Sequence, residues 1–286
     1  YFLATVLPID KIIGKIYPIF GAILIVMAVG IGGALFAQGY EIPEITLQNL
    51  HPEGVPLWPL LFVTIACGAI SGFHSTQSPI ISRCLKNEKE GRFVFYGMMI
   101  AESLIALVWA AAAMSFYGGT EGLGQALANP AGPSGVVKDA AFTMMGTVGG
   151  VLAILGVVVL PITSGDTAFR AARYTLAEWF NIDQKSPANR YKIAIPLFIV
   201  GIALSQMDFN ILWRYFAWAN QTLAMIVLWT GSAYLVKHNK NHWISTLPAT
   251  FMTAVSVTYI LQASEGFNLP TAISYPSGII AAAAAF

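Results

Sequence analysis

Long apolar runs separated by short polar stretches organise this chain. A helix that crosses a membrane needs about 20 mainly apolar residues at a rise of about 1.5 Å each. Seven windows meet or approach that length: 16–37, 57–73, 93–117, 144–164, 193–207, 210–236 and 246–262. The fifth, 15 residues long, fits a half-span as well as a full crossing. The pattern predicts an all-α, polytopic membrane helix bundle, with residues 1–286 forming a single transmembrane domain.

The polar stretches between the windows carry an orientation signal, because cytoplasmic loops collect Lys and Arg. Thirteen Lys and Arg residues fall in alternate connections and one, Lys138, in the others, while Arg214 lies inside the sixth window. The densest connections are 74–92 and 165–192, which are expected on the inner side.

Composition sharpens the class. Of 286 residues, 56% are hydrophobic and 10% charged, with mean hydropathy +0.67; soluble domains carry about 25% charged residues. A net charge of +1 without a basic stripe excludes nucleic acid as a partner. Two cysteines, Cys67 in an apolar run and Cys84 in a basic loop, exclude a disulfide framework and read as inert thiols. The chain begins at Tyr1, and the apolar stretches Tyr1–Leu7 and Ile279–Phe286 read as parts of further hydrophobic segments, so a piece of a longer polypeptide is expected.

Polar groups inside the windows are the candidates for chemistry, since an ionisable side chain in a span costs about 2.5–3.5 kcal/mol on insertion scales. Glu102 lies nine residues beyond Phe93, about 13–14 Å into a core about 30 Å thick. It reads as a proton carrier or cation partner, or else as a neutral tie between helices.

SGFHSTQSP, Ser71–Pro79, follows an apolar run and couples Gly72 to Pro79. Regular helix is expected to break there, and freed backbone groups are tolerated at membrane depth only beside a cavity. The other reading is an ordinary helix end whose Ser and Thr cap the next helix. In LPITSGDTAFRAAR, Leu160–Arg173, Pro161 and Gly165 frame Thr163 and Ser164, and Asp166 is expected to open an amphipathic helix. Thr163, Ser164 and Asp166 could ligate a coupling cation or end a proton path. Asn220 and Gln221, adjacent amides in a long apolar window, either join helices or touch a solute. Gly68/Gly72 and Gly146/Gly150 are small-xxx-small pairs that allow close helix approach.

Other classes lack their signatures. His51, His238 and His242 fall in polar connections without a ligand cluster, so no metal site or cofactor is expected. The late windows contain no interior lysine for a retinal Schiff base. No P-loop, G-x-S-x-G or H-E-x-x-H pattern occurs, and no enzyme is expected.

The run SGFHSTQSP with the following RCLKNE, Arg83–Glu88, resembles the signature region of the carbon starvation protein A family. LPID (Leu7–Asp10), YPIFGA (Tyr17–Ala22), TSGDTAFRAARY (Thr163–Tyr174) and ANQTLA (Ala219–Ala224) fit the same family. The resemblance implies a bacterial inner-membrane transporter of the inverted-repeat, broken-helix type, importing small peptides or a carboxylate such as pyruvate under nutrient limitation. Family members are longer and carry a glycine- and proline-rich broken helix upstream. On this reading Ser71, Gly72, Phe73, His74, Ser75, Thr76, Gln77 and Ser78, with Asn220 and Gln221, contact substrate. Glu102, Thr163, Ser164 and Asp166 couple to a proton or sodium ion. The rival expectation is a membrane sensor or accessory subunit without transport of its own.

Overall fold

A computed structural model describes residues 10–44, 46–51 and 54–286. The stretch Tyr1–Leu7, and with it most of the LPID motif, lies outside the described residues. Among the described residues the regular structure is helical throughout. In chain order the α-helices are α1 (Asp10–Ala37), α2 (Leu57–Ala69), α3 (Gly72–Ser82), α4 (Met98–Phe116), α5 (Thr120–Ala128), α6 (Gly132–Trp179), α7 (Pro187–Leu204), α8 (Phe209–Lys237), α9 (Trp243–Gln262) and α10 (Thr271–Ala285). A short 3₁₀ turn, Glu88–Glu90, and a π-helical turn, Arg92–Gly97, lead into α4.

Six of the seven apolar windows lie on helix apart from a few end residues, and the seventh, 57–73, is broken at Ile70 and Ser71. Among the described residues, four helical stretches are long and apolar enough to cross a membrane: Tyr17–Ala37, Glu88–Phe116, Gly132–Trp179 and Trp243–Gln262. The other three windows fall short for visible reasons. Window 57–73 is interrupted when α2 stops after 13 residues. In α7 the first turn is polar, and α8 carries Arg214, Asn220 and Gln221 among its apolar residues.

The chain divides into two compact units, Tyr1–Val55 with Ile100–Phe198, and Pro56–Met99 with Ile199–Phe286. In the first, α1 packs on α6. Met27, Ile31 and Leu35 recur every four residues on one face of α1 and bury against Ala140, Ala141, Met144 and Ala153, as a helical period requires. At 48 residues α6 would extend about 72 Å if straight, but it bends at Gly146, whose φ of 67° and ψ of −170° are non-helical. Only a residue without Cβ adopts that φ at no cost. Beyond the bend, Gly150 seats the Phe142 ring. The Gly146/Gly150 pair therefore bends one helix rather than pairing two.

The continuity of α6 corrects a second expectation. Asp166 does not open a helix: α6 runs unbroken through Pro161 and Gly165 to Trp179. In the second unit, α8, α9 and α10 pack in sequence and α2 and α3 lie against them. Val63, Met252, Val255 and Tyr259 form its buried core. Trp58, Phe62 and Phe251 meet edge to face at 5.0–5.8 Å at one end.

Candidate functional site

Gly72–Ser78 is not unwound: as the other reading expected, one helix ends just before the motif and Ser71 caps the next. After α2 ends at Ala69, Ile70 and Ser71 leave the helical path, and Gly72–Ser82 is helix throughout, with Pro79 inside it. Ser71 (φ −108°, ψ 123°) is the extended N-cap of α3, and its Oγ accepts the His74 N–H at 3.4 Å. The polar side chains of the motif thus sit on a helix that starts at a break, each at a fixed angle, instead of on an unwound strand.

Side-chain hydroxyls of α3 turn back onto its own backbone. Ser75 Oγ donates to Ser71 O at 3.1 Å, Thr76 Oγ1 to Phe73 O at 2.7 Å, and Ser78 Oγ to His74 O at 2.8 Å. Donating inward leaves the oxygen lone pairs of these hydroxyls facing away from the helix. Pro79 has no N–H to offer the Ser75 carbonyl, so the third turn of α3 lacks one helical bond.

A cavity of about 460 Å³ opens beside this helix. Ser71, His74, Ser75, Gln77, Ser78 and Ile81 form one wall, and Val94, Phe95, Met98 and Met99 the other. One side is hydroxyl, amide and imidazole; the other is apolar. His74 is the one titratable side chain among the described lining residues. The apolar wall comes from the π-turn and the first turn of α4, where the sequence pattern suggested ordinary helix from Phe93. Wide π-turns recur at functional sites because they re-aim side chains. Positions 94, 95, 98 and 99 share a helical face, and that spacing was the available signal for them.

Of the residues expected to contact substrate, five reach the cavity and five do not. Gly72 is buried at the packing surface between α3 and α8, where a Cβ would meet the Asn220 carbonyl oxygen and sit 2.9 Å from Leu223 Cβ. The Phe73 ring meets the His74 ring edge to face at 5.9 Å, and Thr76 is exposed. Asn220 Oδ1 accepts the Phe73 N–H at 2.7 Å, and Gln221 Nε2 donates to Val63 O at 3.0 Å. Both amides contact backbone, not the cavity.

The coupling candidates lie in the other unit. Glu102 is partly buried in α4, close to the middle of the 29-residue stretch Glu88–Phe116. Asp166 is 8% exposed and its Oδ2 accepts from Arg170 Nη2 at 2.8 Å and from the Tyr17 hydroxyl at 3.3 Å. Thr163 Oγ1 donates to Leu160 O at 2.9 Å, and Ser164 is exposed. Asp166 alone of these three is buried, and it already holds an ion pair. Among the described residues no group of three or more His, Cys, Asp and Glu side chains comes together.

One polar cluster escaped the sequence reading. Glu265, in the turn between α9 and α10, accepts from the Tyr259 hydroxyl at 2.6 Å and from Ser264 Oγ at 2.9 Å, with Arg214 of α8 3.9 Å away. Tyr215 donates to the Glu265 carbonyl at 3.0 Å. Burial pushes the Glu265 carboxyl up, but hydrogen bonds from Tyr259, its own backbone and Ser264, with the Arg214 charge, outweigh that and hold it below the usual carboxylate range. The odd arginine in the sixth window was its one sequence signal.

All-helical regular structure among the described residues, with long apolar helices that suit a bilayer, defines a polytopic membrane helix bundle, and a helix end within it borders a cavity with one polar wall. The family Carbon starvation protein CstA matches residues 1–121 and 117–259, and the chain belongs to that family. It is 57% identical to an uncharacterized protein of Haemophilus influenzae over 42% of this chain and 87% of that one. The Peptide transporter CstA of Escherichia coli is 26% identical over 71% of this chain and 39% of its own length. The Pyruvate/proton symporter BtsT of Escherichia coli is 37% identical over 29% of this chain and 12% of its own. The chain thus spans well under half the length of the two transporters. No solved structure matches.

Proposed function

We propose that the protein is part of a secondary active transporter of the bacterial inner membrane that imports a small peptide or a small carboxylate such as pyruvate, serving cells short of nutrients. The carrying observation is the cavity beside α3, with His74, Ser75, Gln77 and Ser78 on one wall and Val94, Phe95, Met98 and Met99 on the other. A solute with a polar end and a short apolar body matches both walls, and binding sites are commonly apolar with few polar groups. The names of the two Escherichia coli relatives support the transport class.

Coupling to a proton or cation gradient is part of the proposal. Glu102, near the middle of a long apolar stretch, is the proton carrier, because an ionisable group kept within a span is costly and marks an ion or proton path. His74 stands directly at the cavity. For Thr163, Ser164 and Asp166, gating is the better half of the coupling reading, since the Asp166 charge is already met by Arg170.

Uptake of radiolabelled pyruvate and dipeptides into vesicles bearing the full-length protein tests this. An imposed inward proton gradient should drive accumulation, and Glu102→Gln should abolish that drive while insertion persists. Accumulation of none of these solutes, or a Glu102→Gln variant with unchanged pH dependence, refutes the reading.

A further inference from the structure

We infer that Asn220 and Gln221 are positioning residues, two amides of α8 that splint the break between α2 and α3 and thereby set which face α3 turns to the cavity. The inference rests on the transport reading of that cavity. A break leaves N–H groups at the start of one helix and carbonyls at the end of the other without intrahelical partners. Away from water those groups need protein partners. At the start of α3, Ser71 Oγ serves the His74 N–H, and Asn220 Oδ1 serves the Phe73 N–H at 2.7 Å from 147 residues away. Gln221 Nε2 donates at 3.0 Å to Val63 O, which lies six residues before the end of α2, so this amide ties α8 to the body of α2 and not to a freed carbonyl.

Adjacent residues on a helix point about 100° apart. That divergence is why one amide reaches α3 and its neighbour reaches α2. Gly72 completes the joint: without a Cβ it lets α3 rest on the α8 backbone at Asn220. The splint is itself backed by α9. Trp218 Nε1 donates to Ser256 O at 3.2 Å on one side of the amide pair, and Trp229 Nε1 to Thr253 Oγ1 at 2.9 Å on the other. Gln221 is fully buried, and its Oε1 has no hydrogen-bond partner among the described residues. An apolar side chain would avoid that unmet oxygen, so the position is filled for its donor. Neither amide lines the cavity; each acts on it through the placement of His74, Ser75 and Ser78.

The test uses the full-length protein in vesicles, with Cys67→Ala and Cys84→Ser as background and Ser75→Cys as reporter for a water-soluble thiol reagent. Asn220→Leu removes the acceptor. Asn220→Asp keeps it, with a carboxylate facing a helix N-terminus. Leucine should change the labelling rate on the order of tenfold, the cost of stranding one buried N–H, and aspartate should keep it within about twofold of the parent. Gln221→Met should shift labelling as Asn220→Leu does, and decides the matter if the leucine variant does not insert. In protein with Ser75 intact, Asn220→Leu should raise the half-saturating solute concentration more than it lowers maximal uptake per inserted molecule, with aspartate restoring it. Leucine and aspartate behaving alike, in either direction, overturns the splint. A parent protein that labels as expected but carries neither pyruvate nor dipeptide overturns the transport reading and leaves the splint standing.

Discussion

Replacing Gly72 by alanine is the sharpest probe of how α3 is held. The new methyl group would meet the Asn220 carbonyl oxygen and approach Leu223 Cβ to 2.9 Å. Backbone cannot yield by changing rotamer, so one helix must move. Overpacking of this kind costs about 1–3 kcal/mol. Moving α3 also lengthens the Phe73 N–H to Asn220 Oδ1 bond of 2.7 Å, with a net loss of about 0.5–1.5 kcal/mol. Better helix propensity returns up to about 1 kcal/mol. The balance is a destabilisation of about 1–4 kcal/mol.

Gly33→Ala is the matched control, since Gly33 is exposed on α1 and nothing lies within 4 Å of its added Cβ; it should be neutral or gain up to about 1 kcal/mol. Unfolding in mixed micelles titrated with sodium dodecyl sulfate, followed by far-ultraviolet circular dichroism, ranks the two. Equal stability of the two variants would refute the close approach of α3 to α8.

Three further perturbations read other parts of the molecule. Glu265 titrates below its unfolded value, so its contribution is complete above about pH 4.3 and is lost as the pH falls through its folded pKa; the gap in melting temperature between wild type and Glu265→Gln should be flat from pH 7 to 5 and close below pH 4.3, and a gap that does not change down to pH 3 contradicts this. Asp166→Asn removes the ion pair with Arg170, whose side chain is 28% exposed against 10% for that of Asp166; the loss should be about 1–3 kcal/mol, less than for a fully buried pair, as read in the same micelle assay, and an unchanged stability contradicts it. Gly146→Ala forces a Cβ onto a φ of 67° with ψ of −170° and should cost about 1–3 kcal/mol, whereas the neighbouring Thr147→Ala should cost less than half of that; equal losses would place the bend elsewhere.

Much of the architecture is legible in the sequence because its cause is local. Apolar runs of helical length dictate helices in a bilayer, where every backbone group must be satisfied within its own segment. Thus six of the seven apolar windows lie on helix apart from a few end residues, and the polar run at Ser71–Ser78 supplies a cavity wall that carries hydroxyls and imidazole. The misplaced features are those whose cause lies far along the chain. The break falls at Ile70 and Ser71 because an amide 147 residues from Phe73 takes up its N–H, so the helix can begin at once instead of staying unwound to Pro79. Asp166 is fixed by Tyr17, 149 residues away, in a helix that neither Pro161 nor Gly165 stops.

Sequence alone therefore determined that this is a helical membrane protein with a polar motif at Ser71–Ser78 and a family resemblance that the comparisons confirm. Tertiary structure alone decided where the chain leaves the helix, which motif side chains face the cavity, and that Asn220 and Gln221 brace backbone instead of lining it. The division follows the reach of the forces. Hydrophobic periodicity acts within a few turns of one helix, but a freed backbone group takes whatever donor or acceptor the packing brings beside it, at any distance along the chain.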